Sequence, residues 1–137
     1  MVIAVINARS IMTTILIIDD DVQVLAVYRG MLEREGFRVL ESLDGLEGLE
    51  TCRKEVIDLV ITDIIMPGKE GLETILELRQ EFPKLGIIAV SGGGRLGAGS
   101  YLPLAEKMGA HRTLTKPFTR QELLEIVGDV LDGVRNQ

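Results

Sequence analysis

Asp19 and Asp20 follow the apolar run Ile15-Leu16-Ile17-Ile18, and Asp63 follows Leu59-Val60-Ile61-Thr62. Ser91 follows Ile87-Ile88-Ala89-Val90, and Lys116-Pro117 follows Thr113-Leu114-Thr115. Open α/β folds bind their ligands at the carboxyl ends of parallel strands, so these pieces are placed to meet. Three carboxylates brought together repel. Two like charges about 4 Å apart cost about 4 kcal/mol at an effective dielectric of 20. Either some of their pKa values rise or a cation sits among them. An all-oxygen set suits Mg²⁺, which takes one or two carboxylates plus phosphate oxygens; Mn²⁺ accepts the same donors. Lys116 adds a compact ammonium and Ser91 a rotatable hydroxyl. Asp63 as a carboxylate nucleophile would form an aspartyl-phosphate, with the cation and Lys116 neutralising the transferred group. An Asp pair alone says little, because turns favour Asp. The order and spacing of all four pieces carry the reading.

The elements that must position them read as five βα units. Residues 13–18 form a continuous apolar run, as in a strand covered on both faces. Val24, Val27, Tyr28 and Met31 then recur at helical spacing, with Asp21 as the cap or a solvated first-turn acid. Gly36 ends that helix, and residues 37–40 read as a second strand. Asp44 is a good N-cap for a helix facing inward through Gly45, Gly48, Leu49 and Cys52. Gly48 costs about 1 kcal/mol against Ala there, which close packing on the sheet can offset. Residues 58–62 read as the third strand, and Pro67-Gly68 breaks the chain. A third helix faces inward through Leu72, Ile75 and Leu76. Residues 86–90 form the fourth strand. The fourth helix carries Tyr101, Leu104, Ala105 and Met108, with Ser100 as its cap, and Gly109 closes it. Residues 112–115 form the fifth strand. The last helix carries Leu123, Ile126, Val127, Val130 and Val134 behind a Thr119 cap. Such a series implies a parallel sheet with right-handed crossovers and helices on both faces.

The bulk numbers agree with one domain. A chain of 137 residues buries about 68% of its unfolded surface without needing a staple. Fifteen basic against 21 acidic residues give a net charge of −6, which argues against direct nucleic-acid binding. The single cysteine, Cys52, excludes an intrachain disulfide and fits a reducing, cytoplasmic location; on its helical face it reads as a small core hydrophobe. His111 is the one histidine and reads as a packing or surface residue. No apolar run approaches the ~20 residues of a membrane span. Gly92 to Gly94 lack the Lys-Ser/Thr ending of a phosphate-binding loop. Residues 1–11 stand apart: their apolar start is too short for a signal peptide. Met12 reads as the natural start and residues 1–11 as an upstream extension, against the alternatives of a short extra strand or a disordered tail. Residues 12–137 form the domain.

Three motifs carry a resemblance. Ile15-Leu16-Ile17-Ile18-Asp19-Asp20-Asp21, the stretch from Asp58 through Asp63 to Met66-Pro67-Gly68, and Leu114-Thr115-Lys116-Pro117-Phe118-Thr119 closely resemble the receiver domain of two-component response regulators. The resemblance covers about residues 13–134. It implies a single-domain, doubly wound, five-stranded parallel sheet of flavodoxin-like, CheY-like form with strand order 2-1-3-4-5. It makes Asp63 the phosphoacceptor for a histidine kinase or histidine phosphotransfer protein. Asp20 becomes a direct Mg²⁺ ligand, Asp19 the holder of metal-bound water, and Asp63 with the Ile65 backbone carbonyl completes the set. Ser91 matches the switch hydroxyl and Lys116 the ammonium that pairs with the phosphoryl group, and the Lys116–Pro117 bond is expected to be cis. Phosphorylation would change the surface of the fourth helix, fifth strand and fifth helix, which binds a downstream protein.

The chain also departs from the family pattern. Thr113 stands where a rotating aromatic is usual, three residues before Lys116. Three glycines follow Ser91. Ile65 and Gly93 offer no group to position attacking water, which implies slow to intermediate loss of the phosphoryl group. The leading reading is a stand-alone receiver with no output domain, not an enzyme beyond its own phosphorylation and dephosphorylation. Two others stay open: a receiver-like module that binds without phosphate, and a Mg²⁺-dependent phosphatase of the haloacid-dehalogenase type. The latter wants Asp-x-Asp, and two residues after Asp63 stands Ile65.

Overall fold

The computed structural model describes residues 13–64, 71–92 and 101–135. The strands are β1 (Thr14–Ile18), β2 (Arg38–Ser42), β3 (Leu59–Asp63), β4 (Gly86–Gly92) and β5 (Arg112–Lys116). The helices are α1 (Val22–Glu33), α2 (Gly45–Lys54), α3 (Gly71–Glu81), α4 (Tyr101–Met108) and α5 (Arg120–Arg135). All pairings are parallel, in the order β2-β1-β3-β4-β5. The central strands β1, β3 and β4 are buried nearly throughout because both faces are covered. Ile15, Ile17, Ile61, Ile88 and Val90 pack against α1 and α5. Leu16, Ile18, Val60, Ile87 and Ala89 pack against α2, α3 and α4. No helix among the described residues is long and apolar enough to cross a membrane.

Local chemistry fixes the ends of these elements. The Asp21 carboxylate accepts from the amides of Gln23 and Val24 and caps α1. Asp44 accepts from the Glu47 amide and caps α2. Thr119 and Glu122 exchange side chain-to-amide bonds of 3.0 Å, a capping box that starts α5. Gly36 and Gly109, with φ of 90° and 130°, take the left-handed conformation that glycine tolerates at a helix end. A Cβ on Gly48 would run into the Ile18 side chain, so α2 gains close packing on β1 where glycine costs it intrinsic stability. Ser100, residues 1–12 and the Pro67-Gly68 break lie outside the described residues.

Three expected inward positions turn outward. Val27 is 57% exposed, and Leu76 and Leu104 are also exposed. On α1 the buried face is Leu25, Tyr28 and Leu32, with Val24 and Met31 at its margin. On α3 it is Ile75 and Leu78, and on α4 Ala105 is fully buried. Each helix carries apolar residues one position apart, so two overlapping faces satisfy the same helical spacing; packing against the sheet selects one. The strands also extend further than their apolar runs, β4 through Gly92 and β5 through Lys116.

Two helical glycines have room to spare. A Cβ on Gly128 or Gly133 of α5 meets nothing within 4 Å. Gly128→Ala and Gly133→Ala are each expected to raise unfolding free energy by about 0.5–1 kcal/mol, the usual difference between glycine and alanine in a helix. Urea denaturation measures it; an unchanged or lower midpoint in either variant contradicts the expectation.

Candidate phosphoacceptor site

Asp63 and Lys116 are the last residues of β3 and β5. Asp19 immediately follows β1, where its amide donates to the Ser42 carbonyl at 3.1 Å. The Asp19 carboxylate accepts from the Asp21 amide at 2.9 Å, so one short turn both caps α1 and orients the acid. The Ile64 amide donates to the Val90 carbonyl at 2.9 Å, tying the end of β3 to β4. The functional groups are thus held by ladder-like bonds on rigid elements, which fixes geometry better than a loop does.

One carboxylate oxygen from each of Asp19, Asp20 and Asp63 lies within 4.8 Å of the others. Lys116 Nζ lies 3.3 Å from Asp19 Oδ2 and 3.4 Å from Asp63 Oδ2. Asp19 is buried, Asp63 nearly so, and Asp20 is exposed. Burial works against the Lys116 ammonium, but Asp63 and Asp19 outweigh it and hold its pKa above that of an ordinary lysine. The lysine is therefore a fixed positive charge. One ammonium against three carboxylates leaves a net negative pocket of oxygen donors, the environment that a hard divalent cation fits.

Ser91 is buried within β4. Its Cα pairs with Thr115, Gly92 pairs with Lys116, and Asp63 pairs with Val90. The hydroxyl thus belongs to the same sheet edge, within one residue of the level of Asp63 and Lys116. It donates to the Gly92 carbonyl over a long 3.4 Å. The Lys116–Pro117 bond is cis. Ile65 and Gly93, with the roles expected of them, lie outside the described residues.

Residues 15–128 match the family described as response regulator receiver domain. The chain belongs to that family. It is a phosphoacceptor signalling module of two-component systems, and such modules are not enzymes in general. Receiver domains bind Mg²⁺ at an acidic pocket and receive phosphate from histidine kinases. Transcriptional regulatory protein CpxR of Escherichia coli (strain K12) is 33% identical over 120 residues, covering 88% of this chain and 50% of that protein. Response regulator GtcR of Aneurinibacillus migulanus is 36% identical over 109 residues, covering 80% and 43%. The chain spans about half the length of these relatives. Among solved structures, a CheY-like receiver domain protein from Methanospirillum hungatei JF-1 shares 30% identity with a TM-score of 0.82, over 90% of this chain and 97% of that one. A receiver domain protein from Clostridium thermocellum shares 32% with a TM-score of 0.81, over 90% and 98%.

In this receiver Tyr28 is a site neighbour that reading the sequence placed only in the core. Its phenol is buried, and that burial together with the charges of Asp19 and Asp63 pushes its pKa far above the usual value. It stays a neutral phenol beside the acids. Its ring sits 5.6 Å from that of Phe118, tilted by 34°, which joins α1 to the turn after Lys116. The signal was available in the aromatic of Lys116-Pro117-Phe118, but nothing in the spacing says that two aromatics 90 residues apart meet. Thr113 is half-buried and pairs with Ala89, two small residues side by side where the family usually has an aromatic.

His111 holds the opposite end of β5. Its Nδ1 accepts from the Ile87 amide at 3.1 Å and lies 3.2 Å from Arg79 Nη2. The Arg79 guanidinium also donates to the carbonyls of Gly109 and Pro83. Both neighbours of Nδ1 are donors, so that nitrogen is the unprotonated one. Burial, and then the Arg79 charge, lower the His111 pKa. An unfolded histidine titrates near 6.5, so the unfolded chain takes up the proton first as pH falls. The stabilisation is complete above about pH 6.5 and is lost as pH falls toward the lowered folded value. His111→Gln is expected to flatten the stability-versus-pH curve in that window, read by urea midpoints at neutral and mildly acidic pH. Since no other histidine exists, an unchanged slope would rule out this role.

Proposed function

We propose that Asp63 accepts a phosphoryl group from a phosphohistidine on a histidine kinase or phosphotransfer protein. An Asp63 carboxylate oxygen attacks phosphorus; the O–P bond forms as the N–P bond breaks, and the imidazole nitrogen leaves with the electron pair. Asp19, Asp20, Asp63 and the Ile65 backbone carbonyl would hold Mg²⁺ or Mn²⁺. When bound, the cation neutralises charge on the carboxylates and on the transferred oxygens. Lys116 holds one side of the phosphoryl group, and Ser91 Oγ donates to one of its oxygens. The observation that carries this reading is the meeting of three carboxylates within 4.8 Å under a lysine that touches two of them. The group then leaves by transfer onward or by hydrolysis. While it is present, the altered surface recruits a downstream protein, and the net charge of −6 favours a protein partner over nucleic acid.

Intact mass after incubation with acetyl phosphate and Mg²⁺ tests it. The expected result is a gain of one phosphoryl group (about 80 Da) that maps to Asp63 and is absent with a chelator. A gain at another residue, or one indifferent to chelation, overturns the assignment. So does no gain from either acetyl phosphate or a purified phosphohistidine donor.

A further inference from the structure

Lys116 ends β5, and the sheet alone does little to fix it there. Among the described strands β5 lies at the edge, with β4 as its neighbour. The residue paired with Lys116 is Gly92, which has no side chain to pack against it. A lysine stem is flexible, so the place of the ammonium depends on the backbone that carries it. In the turn that follows, Pro117 and Thr119 are exposed and Phe118 is half-buried. Phe118 packs against the core on the α1 and α5 side of the sheet. Its ring meets that of Tyr28 at 5.6 Å with a tilt of 34°, within the favourable range for aromatic pairs.

Tyr28 is a firm anchor for that ring. It is 3% exposed and shares the buried face of α1 with Leu25 and Leu32. An aromatic side chain turns about two bonds only, so packing leaves it little freedom. The start of the same helix is tied to the acids, because the Asp21 amide donates to the Asp19 carboxylate at 2.9 Å. Helix α1 therefore reaches both partners of the Asp19–Lys116 ion pair, the acid through its cap and the ammonium through Tyr28 and Phe118. A second tie between these regions, Arg120 to Glu35 at 2.9 Å, is about half exposed on both sides, and solvent weakens such pairs.

We propose that Tyr28 is a positioning residue for phosphoryl transfer: its ring braces Phe118 and so holds the turn that aims Lys116 at the phosphoryl oxygens. This role rests on those proposed above for Asp63 and Lys116. It adds a group on α1 that acts through the lysine and not on the phosphoryl group itself.

Timed intact-mass measurement on the full chain, with acetyl phosphate and saturating Mg²⁺, tests it. Tyr28→Leu keeps an apolar side chain without the ring and is expected to take up the phosphoryl group at least about tenfold more slowly, since small misplacements of reacting groups are costly. Phe118→Leu changes a half-buried residue, which spares the fold, and should give the same loss. Tyr28→Phe keeps the ring pair and should stay within about twofold of the parent, as should Glu35→Gln. Lys116→Ala supplies the readout that a merely structural role would not move. In that slow background Tyr28→Leu should cause no further slowing, because the group it positions is gone. A loss that persists without Lys116, or Tyr28→Phe as slow as Tyr28→Leu, overturns the proposal. Uptake at Asp63 by both leucine variants at the parent's rate sinks this role alone. A parent that gains nothing at Asp63 overturns the reading of the site, and this role with it.

Discussion

Asp63→Asn takes up no phosphoryl group and yet unfolds at a higher urea concentration than the parent chain when a chelator is present. The first half follows from chemistry: an amide is a poor nucleophile and cannot form the acyl phosphate. The second half follows from the charges. Asp63 lies 3.4 Å from the Lys116 ammonium and within 4.8 Å of oxygens on Asp19 and Asp20. At an effective dielectric of 20, two repulsions of about 3.5 kcal/mol each outweigh one attraction of about 5 kcal/mol. Solvent around the exposed Asp20 screens part of this, so the expected gain is about 1 kcal/mol. Saturating Mg²⁺ should reverse the ranking, because it binds the folded parent more tightly and stabilises by mass action. The acids thus cost stability in the absence of the cation and are kept for what they do with it. Phosphoryl uptake by the variant at the parent's rate, or lower stability in chelator, contradicts the argument.

The parts of the site that the sequence made legible are those marked by a change of chemistry at a strand end. Asp19, Asp20 and Asp63 interrupt apolar runs, and an interrupted run can be read without knowing what packs on it; Lys116 follows the mixed stretch Thr113-Leu114-Thr115 and was legible through the Lys116-Pro117 motif of the resemblance. The sheet order came by resemblance, since alternating strands and helices leave several parallel orders open. Val27, Leu76 and Leu104 were misread because helical spacing fits two faces and only the sheet chooses. The strand ends were set short for a related reason: Ser91 and Lys116 are polar, so the apolar runs stop before them, whereas the backbone ladder continues under them. Tyr28 escaped notice as a site residue because its ring contact with Phe118 and the field it feels from the acids are long-range in sequence, and no local rule encodes a meeting of α1 with the turn after β5. The His111–Arg79 pair is hidden in the same way.

Gly71→Ala should cost about 3 kcal/mol of stability, or about 10 °C in Tm for a domain of this size, and slow phosphoryl uptake at least about tenfold in the molecules that remain folded. Gly71 is the first residue of α3, and its amide donates to the Ile64 carbonyl at 3.0 Å. A Cβ placed there overlaps the backbone carbonyl oxygens of Asp63 and Ile64 and the Ile64 Cα. Backbone atoms have no rotamer to escape into. Either α3 lifts and draws its own Ile75 and Leu78 out of the core, or the end of β3 shifts and carries Asp63 with it. Both routes move the nucleophile relative to Lys116 Nζ, and small misplacements of reacting groups are costly to rate. Gly92→Ala is the matched control at the same sheet edge. It follows Ser91 and pairs with Lys116, but a Cβ there meets nothing within 4 Å, so stability and uptake should stay close to those of the parent. Calorimetry and a timed mass assay on the two variants separate the cases. Equal behaviour of Gly71→Ala and Gly92→Ala would mean that the turn into α3 yields without moving Asp63, and that glycine is not required there to hold the nucleophile in place.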